Sequence, residues 1–329
     1  MIVGWGEGNE DQFTYCMYVF CRGSQFSSTH FKSIPSFPGH QNRPCLGASS
    51  KGRTFVGSFT SGKNEYSWTT YQFYEFVKGK RCWRRLAPTN LQRQGAASCL
   101  ISKDVLMVAG GVQQVSENIN YKSIEILKSK KDSFRFLPPP RWKCYYSCQP
   151  QASLQWHTIT VIDNDKVIVI GGLPENRIST NRVYMGYIEK RRCKISWKEL
   201  KPLNFARHDH FAFKMGRHIV VGGGDQNSKY TGANYVLSCE IYDLDTGNWK
   251  ITSHYLPFPM LKASVAVESH QNFAIITGGK HGTLSNDRFI MLPGMRNKML
   301  IYTKDKGFVE YHSSSVSILS GPHVAVDFN

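Results

Sequence analysis

The stretch that decides the fold reads HDHFAFKMGRHIVVGGGDQN over residues 208 to 227 and resumes as SCEIYDLDTGNW over residues 238 to 249. Alternation through HDHFAFKM, a tight Gly216-Arg217 turn and the β-branched run RHIVV describe two antiparallel strands that end on glycines. A long polar loop then leads to a third strand, SCEIYDLD, and a Thr246-Gly247 turn leads to a fourth that opens at Trp249. Four antiparallel strands therefore form one unit.

The unit recurs. KVIVIGG (166 to 172), NFAIITGG (272 to 279) and DVLMVAGG (104 to 111) run a short strand into a Gly-Gly pair as RHIVVGGG does, and TFVGS (54 to 58) and MIVGWG (1 to 6) are weaker copies. The anchor residues Gly6, Ser58, Gly111, Gly172, Gly223 and Gly279 lie 52, 53, 61, 51 and 56 residues apart, a period that suits β-blades rather than helical solenoids. Six such units fill the 329 residues as a single domain. Their expected bounds are about 1–38 with 321–329, then 39–90, 91–142, 143–203, 204–259 and 260–320.

These repeats resemble the kelch repeat of the galactose-oxidase-type superfamily. The Gly-Gly pairs carry the likeness, together with Tyr242 and Trp249 and the counterparts Tyr74 with Trp83, Tyr187 with Trp197, Ile126 with Phe134, and Tyr302 with Phe308. The resemblance implies an all-β, six-bladed β-propeller of four-stranded antiparallel blades. The spare segment HVAVDFN (323 to 329) is expected to supply the innermost strand of the first blade and so close the ring. The repeat glycines and aromatics are read as scaffold.

Composition narrows the class. With 41% hydrophobic and 20% charged residues the chain can bury a core, which excludes intrinsic disorder. No apolar run is long enough for a membrane span, and MIVGWGEGNED lacks the pattern of a secretory leader. A cytoplasmic location is expected, with the nucleus as the alternative. The nine cysteines are odd in number and scattered, which suits reduced thiols rather than a disulfide framework or a metal site. Residue 2 already falls in the first blade, leaving no room for the BTB or F-box region of many kelch proteins.

Successive turns of a four-stranded blade alternate between the two ends of the propeller. Turns after the first and third strands gather basic residues on one rim: Arg81, Arg84, Arg85, Lys130, Lys131, Lys190, Arg191 and Arg192. The net charge of +17 would favour an acidic protein there. The clusters lack interleaved aromatics and any nucleic-acid-binding module, so nucleic acid is not the expected partner. The other rim collects the loops after the Gly pairs, with Asn9, Lys63, Gln113, Asn176, Asp225, Gln226 and His281 as candidate partner-binding residues and Arg207 beside them on a blade connection.

Catalytic patterns are sparse. His208-Asp209-His210 has the alternation of a metal pair, yet it stands where kelch repeats place a structural Arg and His. No GxSxG, P-loop or HExxH occurs. The expectation is a non-catalytic, monomeric protein-binding scaffold with no cofactor and no metal. The alternatives are a propeller enzyme akin to copper-radical oxidases or sialic-acid isomerases, or a substrate-recognition subunit that meets a ubiquitin ligase through a separate adaptor.

Overall fold

The computed structural model describes residues 2–7, 12–22, 25–33, 35, 38, 46–50, 53–61, 68–77, 79–91, 93, 95–102, 104–111, 123–128, 143–147, 154–174, 176–189, 194–226, 234–268, 272–277, 280–281, 283–285, 288–290, 298–312 and 324–325. Among them there is no helix, and therefore none long and apolar enough to cross a membrane.

The strands follow one another as antiparallel meanders. The first comprises β1 (Ile2–Glu7), β2 (Gln12–Arg22) and β3 (Gln25–Ser33), and the second β4 (Leu46–Ser50), β5 (Arg53–Ser61), β6 (Trp68–Val77) and β7 (Cys82–Pro88). Next come β8 (Ala97–Ser102), β9 (Val105–Ala109), β10 (Ser123–Lys128) and β11 (Lys143–Ser147), then β12 (Thr158–Asp163), β13 (Lys166–Ile170), β14 (Val183–Glu189) and β15 (Lys194–Glu199). The repeat over residues 208 to 249 forms β16 (Phe211–Met215), β17 (His218–Gly222), β18 (Glu240–Asp243) and β19 (Asn248–Ile251). The last part contains β20 (Met260–Leu261), β21 (Ser264–Val267), β22 (Phe273–Thr277), β23 (Lys280–His281), β24 (Thr283–Ser285), β25 (Arg288–Ile290), β26 (Lys298–Thr303), β27 (Gly307–His312) and β28 (Val324–Ala325). There β21-β22-β26-β27 make one sheet, while β20 with β23 and β24 with β25 make two small ones.

The result is an all-β propeller of antiparallel four-stranded sheets. Hydrogen bonding yields five large sheets where six were expected, because β11 pairs in parallel with β15 and fuses two four-stranded runs into one sheet of eight. The antiparallel pairing of β11 with β10 makes it the fourth strand of the third run, so residues 143–147 fall there rather than in the following unit. Strand β28 pairs with β1 through Ile2 opposite Ala325 and Val3 opposite Val324. First strands stand side by side in the order β4, β8, β12, β16 and β21, and β28 lies against both β21 and β4.

The core lies between sheets. Second strands are apolar on both faces, since each face meets a neighbouring sheet; Leu106, Met107, Val108, Val167, Ile168, Ile170, Ile219, Val221 and Ile276 are all nearly inaccessible. Ile168, Ile170 and Val183 thus pack with Ile219, Val221 and Tyr242 of the next sheet, each buried aliphatic contributing about 1.5–3 kcal/mol. First strands instead alternate, as in β16, where Phe211, Phe213 and Met215 are buried.

Outer-strand aromatics follow the expected pairing in two sheets and depart from it in two. Tyr242 with Trp249 and Tyr302 with Phe308 are cross-strand partners with ring centroids 4.9 and 4.8 Å apart. Trp83 is instead opposite Phe76, at 5.1 Å, and Tyr74 faces Arg85. Trp197 is opposite Gly186 rather than Tyr187; a Cβ on Gly186 would stand 2.6 Å from the indole, so the glycine makes room for the ring. Phe134 lies outside the described residues.

Candidate functional site

Three of the Gly pairs tie one four-stranded run to the next. The second glycine donates its N–H across the seam: Gly111 to the Leu154 carbonyl at 2.9 Å, Gly172 to Arg207 at 2.8 Å and Gly224 to Met260 at 2.9 Å. These glycines have φ of +83°, +105° and +92°, and a Cβ on Gly224 would lie 2.5 Å from the His208 carbonyl oxygen. Two residues beyond each accepting carbonyl comes a residue in the left-handed region: Trp156 (φ 52°), Asp209 (φ 54°) and Lys262 (φ 56°), with Gly95 (φ 72°) at the same place in the preceding blade. They form a backbone relay from blade to blade, Trp156 N–H to Gly95 O, Asp209 N–H to Trp156 O and Lys262 N–H to Asp209 O, each 2.8 Å.

This relay brings three unlike side chains together. Lys262 Nζ lies 5.2 Å from the Trp156 ring centroid and 3.6 Å from Asp209 Oδ2. The Trp156 and His208 rings are 5.7 Å apart, and His208 Nδ1 is 2.9 Å from Ser179 Oγ, which also donates to the Asp225 carbonyl at 3.2 Å. Bridges between Gln155 and Leu173 and between His208 and Asp225 hold the residues after the Gly pairs against the blade connections, so both lie at one end. Trp156 and Asp209 are half-buried and Lys262 is exposed. An indole face, a carboxylate and an ammonium there suit recognition of a polar peptide surface. Bulky residues in left-handed backbone cost about 1–3 kcal/mol each, and Gly95 shows that glycine fits the same place without that strain.

Of the candidates for the loop-bearing end, Asn176 is exposed, while Asp225 and Gln226 are half-buried. Asn176 Oδ1 accepts the Ile178 N–H at 3.1 Å, and Asp225 Oδ1 accepts the Asn234 N–H at 2.8 Å, so both shape loops. His281 lies on β23 opposite Met260. Asn9, Lys63 and Gln113 lie outside the described residues.

Arg207 is corrected: it is fully buried, with Nη2 2.8 Å from Glu240 Oε1 and Nη1 donating to the Gly223 and Ser238 carbonyls. Glu240 also accepts the Asn204 and Phe205 N–H groups, so the pair clamps the blade connection onto the third strand. Arg93 and Glu125 repeat the arrangement with Gly110, Asn90 and Leu91.

The basic rim also needs correction. Arg81 occupies the β6–β7 turn and is exposed, but Arg84 and Arg85 stand on strand β7; Arg84 pairs with Glu75, and Arg85 donates to Gln72 Oε1 at 3.0 Å. On the turn after β16, Arg217 meets Asp243 and Asp245 at 3.5 and 3.2 Å. Lys130, Lys131, Lys190, Arg191 and Arg192 lie outside the described residues.

His208 and His210 do not point to a metal centre. His210 Nε2 is 2.9 Å from Thr158 Oγ1, His208 holds Ser179, and the described residues contain no group of three or more His, Cys, Asp or Glu able to hold an ion. Sequence reading missed Trp156 and Lys262. The available signal was their place one repeat either side of Asp209, but side-chain type differs at every copy.

No family model matches the chain. Among solved structures, that of YjhT superposes with a TM-score of 0.65 over 94% of this chain and 97% of its own, at 14% identity. The likeness is one of propeller fold.

Proposed function

We propose that this chain is a closed, six-bladed propeller of the kelch type that works as a non-catalytic protein-binding module in the cytoplasm. Its partner sits on the loop-bearing end, around Trp156, Asp209 and Lys262. The observation that carries this reading is the strained backbone at three non-glycine residues whose side chains converge at that end. A structural relay alone would be served by glycine, as at Gly95. The opposite rim is less suited, because Arg217 and Lys166 on its turns are already engaged by Asp243, Asp245 and Asp163.

Support for six blades comes from the two complete four-strand runs within the eight-stranded sheet, and support for closure from β28, which reaches β1, β21 and β4. The net charge of +17 favours an acidic protein as partner, with no cofactor required. The test is capture of binding proteins by the intact chain and by a Trp156→Gly/Lys262→Gly variant. Proteins retained by the wild type should be lost by the variant, whose melting temperature should not fall, since glycine relieves the backbone strain. Unchanged capture by that variant, with loss on Arg81→Glu, would place the partner on the other rim.

A further inference from the structure

Two buried histidines hold the same place in consecutive blades. His157 follows Trp156 and His210 follows Asp209, whereas the residues after Gly95 and Lys262 are Ala96 and Ala263. Each imidazole sits in the seam toward the preceding blade: a Cβ on Gly110 would collide with His157 Cε1, and one on Gly171 would lie 2.9 Å from His210 Cε1. From its own blade each histidine is backed by the second glycine of the pair, with Gly172 and Gly224 leaving 2.8 and 2.9 Å between an added Cβ and the His157 and His210 Cβ atoms. The β12–β15 blade therefore has an imidazole in both of its seams. Across the second seam His210 and His208 reach Thr158 and Ser179 of that blade, and the Gly172 and Asp209 N–H groups close backbone bonds.

We propose that these two seams are an acid-operated release, in which proton uptake by His157 and His210 loosens the contacts on both sides of the β12–β15 blade, while the β11–β15 pairing holds its outer edge, and frees the loop-bearing end. The seams are packed for neutral rings. The Nδ1 atoms of both histidines are buried without a hydrogen-bond partner among the described residues. Among the described residues, the charged groups around them offer a proton no counter-ion. His210 faces Arg207 and His208 on its own connection and His157 on the next blade, all of which disfavour its charged form. The Glu240 carboxylate is occupied by Arg207, Asn204 and Phe205, and Asp209 by Lys262. On the His157 side, the guanidinium of Arg93 donates to the Gly110 carbonyl, and Glu125 is occupied by Arg93, Asn90 and Leu91.

Burial holds the His157 pKa down to about 4, the nearby Leu154 carbonyl offsetting this only in part without a well-formed hydrogen bond to Nδ1, and burial followed by the Arg207 charge holds His210 well below the ordinary range. A histidine released to water titrates near 6.5. The open state thus binds more protons below about pH 6.5, so the seams are fully stable above that value and weaken as pH falls toward 4. Each histidine shifts the opening equilibrium by up to roughly tenfold per pH unit in that window. The device depends on no particular partner.

The test compares the full chain at pH 7.5 and pH 5.0 by thermal melting and by amide hydrogen exchange. In the wild type the melting temperature should fall on acidification, and protection factors, taken against the intrinsic exchange rate at each pH, should fall first at the Gly111, Gly172 and Asp209 amides. A His157→Gln/His210→Gln variant keeps a ring-sized polar side chain that does not titrate, and its melting temperature should be nearly flat between pH 6.5 and 5.0. His157→Ala/His210→Ala, which copies Ala96 and Ala263 in the same slots, should be less stable at pH 7.5 and equally flat. A wild type indifferent to pH, protection that falls evenly across β16–β19, or full acid loss in either variant overturns the proposal. Should the glutamine variant not fold, the alanine variant and the wild-type exchange pattern decide.

Discussion

The clearest lesson at the residue scale is the buried pair Arg207–Glu240. Its two positions vary together within the chain: Arg93 with Glu125, Leu154 with Tyr184, Arg207 with Glu240, and Met260 with Leu300, each second member opposite the residue two places before a Gly pair. Ion pair and apolar pair are alternative fillings of one slot, since a buried charge must keep its partner while an apolar couple needs none. Arg207→Met should destabilise by about 3–5 kcal/mol because Glu240 is left buried and unpaired. Arg207→Met with Glu240→Leu, copying Met260 and Leu300, should cost less than that single substitution; chemical denaturation of the three proteins gives the comparison. Arg207 was legible as conspicuous, but not as buried, because nothing local marks Glu240 as its partner 33 residues away.

At the scale of the element, the Gly-Gly pair ends the second strand and docks on the following blade. Gly224→Ala would force a left-handed alanine against the His208 carbonyl and should cost about 2–5 kcal/mol. Gly79→Ala, with nothing within 4 Å, should change stability by less than about 0.5 kcal/mol, and paired melting curves would separate the two. Strand order and Gly-pair spacing were readable along the chain, because strand periodicity and turn glycines are local signals. The cross-strand partners of Trp83 and Trp197 were not, since a shift of register by one or two residues leaves the local pattern intact while changing which side chain faces which.

For the whole molecule, the joining of distant segments matters most. Strand β28 lies against β1, β4 and β21, so deleting residues 321–329 should lower the melting temperature of the entire propeller rather than trim a tail. A truncated protein that melts like the full chain would remove this strand from the stabilising architecture. The β11–β15 pairing adds a second link between distant segments, one that joins the outer edges of two blades and that no repeat pattern announces.

By itself the sequence determined the all-β class and the order of strands in the clearest repeats. These follow from side-chain periodicity and glycine spacing. Only the tertiary structure decided that Arg207 is a buried clamp, that Trp156, Asp209 and Lys262 meet, and that two histidines occupy adjacent seams. Those facts depend on contacts between residues of different blades, and the free energy of such contacts is set by burial and by partners that the local sequence does not contain.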